Sequence, residues 1–85
     1  MKIQRVHETR GVTRAELAEY FKELASCEAG GAYYGKGWQV ILAEEKICRL
    51  GSIKLPEVTI TFHGEEGVYH EMIAIFRLKF LRAGG

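Results

Sequence analysis

The chain contains no aspartate and no asparagine; all 11 of its acidic residues are glutamate. That absence removes Ser-His-Asp triads, EF-hand loops and aspartate-based magnesium sites from consideration. It also removes the Asn-Gly and Asp-Gly turns favoured in β-hairpins, so turns must rely on the ten glycines. Without thermolabile asparagine, and with Glu, Lys and Arg as the whole charged set, the composition leans toward a thermophilic source. Long apolar runs are missing as well. No window approaches the ~18 apolar residues needed to span a bilayer, and the opening MKIQRVHETR lacks the apolar centre of a signal peptide. The expected location is the cytoplasm, with no membrane contact. Two cysteines, Cys27 and Cys48, are too few for a disulfide scaffold. Each is expected to be a free thiol packed as a small hydrophobe, a bridge between them being the lesser reading.

What is present describes an ordinary globular chain. Its 85 residues make one domain, 47% hydrophobic and 27% charged, outside the disordered range. A domain this short buries only about 60 to 65% of its unfolded surface, so a modest stability is expected unless a partner adds to it. The net charge of +1 provides no overall field to draw in nucleic acid.

Along the chain, Ile3 and Val6 in KIQRVH mark a first strand at 2–7. TRAE at 13–16 is a capping box, with Val12 and Leu17 at the staple positions. The helix it opens runs to about Ser26, with Leu17, Tyr20, Phe21 and Leu24 on one face, and Gly30-Gly31 end it. Four strands then follow at about 32–35, 37–43, 46–54 and 57–63. They are joined by Gly-Lys-Gly, by Ala43-Glu44-Glu45 and by a turn at Pro56, as an antiparallel meander.

From Glu65 to Arg82 the pattern admits two readings. As a strand, Phe76, Leu78 and Phe80 alternate with Arg77 and Lys79. As a helix, Val68, Tyr69, Met72, Ile73, Phe76 and Phe80 gather within an arc of about 140°. Eighteen residues is about three times a common strand length, and the charges run acid-first, base-last as a helix dipole favours. The helix is the preferred reading. The fold class is therefore α+β, ordered β-α-β-β-β-β-α, with an antiparallel sheet carrying its helices on one face.

The terminal Arg82-Ala83-Gly84-Gly85 resembles the tail of ubiquitin and of the small sulfur carriers, whose last carboxylate reacts. Those folds place a β-hairpin before the main helix, whereas only about ten residues precede Thr13 here. A helix stop at Gly84 and Gly85 is the preferred reading, with a carrier tail as the alternative. GGAYYGKGW, RLGSIKLPEVTITF and FRLKFLRAGG together resemble the small accessory domain at the C-terminus of MoaD-related proteins, relatives of the molybdopterin synthase small subunit. The resemblance implies half of a TATA-box-binding-protein-like fold and a setting in molybdenum-cofactor or sulfur metabolism. It implies no catalytic activity and no cofactor. In one respect the sequence departs from that pattern: the domain is expected to stand without a carrier domain.

Candidate site residues are few. Tyr33, Tyr34, Lys36 and Trp38 could form a stacking platform for a flat ligand or a partner, with Tyr34 expected to be the most exposed, while alternation would send Trp38 inward. His7, His63, His70, Cys27 and Cys48 lack the spacing of a zinc site, so no metal is expected. Glu44-Glu45 and Glu65-Glu66 read as solvated turn charges. Three functions remain open. The first is a non-enzymatic accessory module with a protein partner, and with homodimerisation conceivable. The second is a carrier acting through Gly85. The third is a nucleic-acid binder, which would need Arg5, Lys36, Arg49 and Lys54 on one face.

Overall fold

A computed structural model describes residues 1–80; the expected end of the last helix at Arg82 and the Gly84-Gly85 tail lie outside the described residues. The capping box forms as its spacing predicts. The Glu16 N–H donates to the Thr13 hydroxyl at 3.2 Å, and the Thr13 N–H donates to the Glu16 carboxylate at 3.1 Å. Helix α1 spans Arg14–Leu24, slightly short of the expected end, because Ala25 turns extended at φ −80° and ψ 150°. Glu45, expected as a solvated turn charge, instead accepts from the Arg14 N–H at 2.7 Å and satisfies a further open donor of that first turn.

One strand precedes the helix and five follow it. These are β1 (Lys2–Arg10), β2 (Cys27–Ala29), β3 (Ala32–Gly35), β4 (Trp38–Leu42), β5 (Lys46–Leu50) and β6 (Ile53–Glu65), closed by α2 (Glu66–Phe80). Every pairing is antiparallel, in the order β1-β6-β4-β3-β2, with β5 attached to β6 alone. The order is thus β-α-β-β-β-β-β-α, one strand more than expected. Gly30 and Gly31, expected only to stop the helix, form the two-residue turn between β2 and β3 at φ 55° and 84°, a conformation that favours glycine.

The expected turn at Pro56 does not exist. The chain reverses at Gly51-Ser52, between the paired Leu50 and Ile53, and Pro56 sits inside the 13-residue β6. Its carbonyl accepts from the Gly11 N–H at 2.9 Å, so its nitrogen faces the same flank, beyond the last β1 pair Arg10–Glu57. No ladder donor is lost there, and proline fits the strand.

Both helices lie on one face. Val40, Leu42, Val58, Ile60 and Phe62 point toward them and meet Leu17, Phe21, Tyr69 and Phe76, all buried. Phe21 of α1 and Phe76 of α2 stack at 5.9 Å and 14°, which fastens the helices to each other as well as to the sheet. The predicted apolar arc of α2 is the observed one: Tyr69 and Phe76 buried, Val68, Met72, Ile73 and Phe80 half-buried. Leu24 departs from expectation, half-exposed at the last helical position.

Packing around two glycines has opposite demands. The Trp38 indole lies directly on Gly35, where a Cβ would overlap its ring, whereas a Cβ at Gly67, in the first turn of α2, meets nothing within 4 Å. Gly35→Ala should therefore lower stability by about 1–3 kcal/mol through overpacking. Gly67→Ala should raise it by roughly 0.5–1 kcal/mol by restricting the unfolded chain and favouring the helix. Urea denaturation of the two variants beside the parent checks both signs.

Candidate functional site

Because both helices cover the same face, strand alternation presents a second set of side chains on the other. The register arranges them in two rows across five strands. One row, Gln4–His63–Gln39–Tyr34–Cys27, is polar; the next, Val6–Thr61–Ile41–Ala32–Ala29, is mainly apolar. Val6 is 58% exposed, and Ile41 and Tyr34 are each 37% exposed. Beside the polar row a shallow cavity of about 300 Å³ is lined by Lys2, Tyr34, Gly37, Trp38, Gln39, His63, Gly64 and Glu65. None of the row residues belongs to the core cluster under the helices, although Ala32 is itself buried.

Of the four residues considered as a stacking platform, Tyr34 and Trp38 both line this cavity, while Tyr33 and Lys36 do not. Tyr33 is buried among the helices, tilted against Phe21 at 6.3 Å, and Trp38 also faces Phe21, at 6.5 Å. Tyr34 alone of the aromatics points to the open face, while Lys36 occupies the exposed β3–β4 turn. Adjacent residues on a strand must diverge, so Tyr33 and Tyr34 never shared a face. The basic residues considered for nucleic acid are also dispersed. Arg49 and Lys54 stand opposite each other near the Gly51-Ser52 turn, Lys36 lies in the β3–β4 turn, and Arg5 lies over the Tyr69 ring at 6.0 Å.

Among the described residues no three His, Cys or Glu side chains gather as metal ligands. Both cysteines are free, Cys27 on β2 and Cys48 on β5. No helix among the described residues is long and apolar enough to cross a membrane.

One polar pair has no signature in the sequence. His7, on the helix-facing side of β1, has its Nε2 2.7 Å from the Tyr69 hydroxyl, 62 residues away, with the rings at 17° and 5.8 Å. Burial, aided by the nearby Arg77 and Arg5 guanidiniums, lowers the His7 pKa from its ordinary 6.5. The sign of its contribution follows. As pH falls through 6.5 the unfolded chain takes up the proton first, so stability decreases until the folded pKa is passed, and is constant above the window. His7→Gln should remove that portion of the acid destabilisation, read as urea midpoints across the window. A folded His7 pKa at or above 6.5 by NMR would refute the assignment.

The antiparallel sheet and its single strand before α1 stand beside a match to a known family. No curated protein matches the sequence. The family model described as archaeal MoaD-like protein matches residues 5–85, the fold's elements from within β1 onward included. With all but its first four residues inside that match, the chain belongs to the archaeal MoaD-like protein family.

Proposed function

We propose that this protein is a non-catalytic accessory protein that binds a protein partner through the open face of its sheet, within molybdenum-cofactor or sulfur metabolism. The observation that carries the reading is the pair of rows on that face. Val6 and Ile41 supply apolar contact, and Gln4, Gln39, His63 and Tyr34 supply donors and acceptors beside it. A mixed apolar and polar surface of this kind suits a protein interface. The family's name supports the metabolic setting.

A second reading is favoured by the extent of the family match, which runs through Gly85. In it the protein carries sulfur as a thiocarboxylate on its last residue, and the sheet face docks the activating or receiving enzyme. The single strand before α1 and the wholly antiparallel sheet differ from the ubiquitin-like carriers that open with a hairpin, which favours the accessory reading.

Two measurements decide between them. Titrating the isotopically labelled protein with a molybdopterin synthase large subunit should shift the amides of Gln4, Val6, Tyr34, Ile41, Thr61 and His63; no shift on this face would refute the docking surface. Intact mass after incubation with an E1-like enzyme, ATP and a sulfur donor should be unchanged. A gain at Gly85 matching an adenylate or thiocarboxylate would establish the carrier reading instead.

A further inference from the structure

The β5–β6 hairpin is an arm with no cover. Beyond the β4 pairing at Ile60 to Gly64, residues 46–57 pair only with each other, apart from Glu57, which also meets β1, and Pro56, whose carbonyl accepts from the Gly11 N–H. Ile47, Leu50 and Ile53 are 62%, 54% and 59% exposed. Isolated two-stranded hairpins are marginal in water, so this one is short of buried apolar area. Its charges add to the difficulty. Arg49 and Lys54 are direct cross-strand partners, a like-charge pairing that opposes the hairpin, and with Lys46 they make the stretch 46–56 triply positive without an acid.

The same chain carries the complementary surface. A cleft of about 420 Å³ between α1 and the end of α2 is lined by Glu16, Glu19, Tyr20, Glu23, Lys79 and Phe80. Tyr20 and Phe80 meet edge to face at 5.2 Å and supply an aromatic wall. Glu19 and Glu23, one helical turn apart, repel each other, and Glu23 stands at the negative end of the α1 dipole. Among the described residues no cation lies within 4.0 Å of Glu19 or Glu23, and no carboxylate lies within that distance of Arg49 or Lys54. The arm exposes Ile47 beside Arg49 and Lys54, and the cleft sets Glu16, Glu19 and Glu23, with one cation, Lys79, beside the half-buried Tyr20 and Phe80, so the two surfaces are mainly of opposite sign.

We infer that the β5–β6 arm of one copy docks in the Glu19/Glu23 cleft of a second copy. Arg49 and Lys54 meet the two glutamates, and Ile47 reaches the Tyr20–Phe80 wall. Each copy has one arm and one cleft, so a two-fold exchange uses both and closes as a dimer. The inference stands apart from the open sheet face, whose residues it does not use.

Sedimentation equilibrium on the full chain tests it. The parent should dimerise at low salt and dissociate at about 1 M salt, where the screening length falls to ~3 Å. Arg49→Glu/Lys54→Glu and, separately, Glu19→Lys/Glu23→Lys should each weaken the dimer by about tenfold or more while circular dichroism confirms the fold. Mixing the two variants should restore it, because each arm then meets an oppositely charged cleft. A parent that is monomeric at low salt, variants that dimerise like the parent, or a mixture that fails to associate would each overturn the inference.

Discussion

The structure depends on the register of β6. This one strand pairs with β1 along Glu57 to Glu65 and with β4 at Ile60 to Leu42 through Gly64 to Trp38, and it holds β5 at its beginning. Alternation along it sends Val58, Ile60 and Phe62 into the helices and Thr59, Thr61 and His63 outward. A slip of one residue would exchange the two sets, placing threonines and a histidine under the helices. Two features near its ends resist that slip. Pro56 tolerates only a site whose nitrogen has no partner strand, and Gly64 lies where a Cβ would strike the Gly37 carbonyl and the Trp38 backbone.

From that register follows the division of labour between the faces. The helical face is closed by aromatic contacts: Phe21 on Phe76, Tyr20 on Phe80 and Tyr69 against Phe62. With α1 and α2 both committed to it, the opposite face must be served by side chains tolerable in water, and threonine, glutamine and histidine dominate its centre. Val6 and Ile41 are exceptions to that pattern, and exposed β-branched residues flanking Thr61 are what an interface adds to a solvated sheet.

How much of this could be read from the residues depended on the range of the interaction. The α1 capping box and the apolar arc of α2 are local, and both were legible, as was the exposure of Tyr34 by alternation. The β2 strand was not, because Cys27-Glu28-Ala29 has no β-branched or aromatic residue and is a strand only through its pairing with β3. Pro56 reads as a turn in the sequence because sequence does not say which flank of a strand a nitrogen faces. The true turn, Gly51-Ser52, sat inside an expected strand. The pairing of His7 with Tyr69, and the opposition of Arg49 to Lys54, appear only once the register is known.

The net charge of +1 illustrates the same point at the level of function. Summed over the chain, charge gives no field, and on that basis the sequence offers little to an ionic partner. The fold sorts it instead, placing Lys46, Arg49 and Lys54 on the arm and Glu16, Glu19 and Glu23 along α1. A molecule with separated patches and almost no net charge has attraction at short range and little long-range repulsion between copies, because the screening length in physiological salt, about 8 Å, exceeds a contact distance but not a molecular diameter. Its principal axis of 42 Å is several such lengths. Local patches, rather than the total, therefore govern what this surface can recognise.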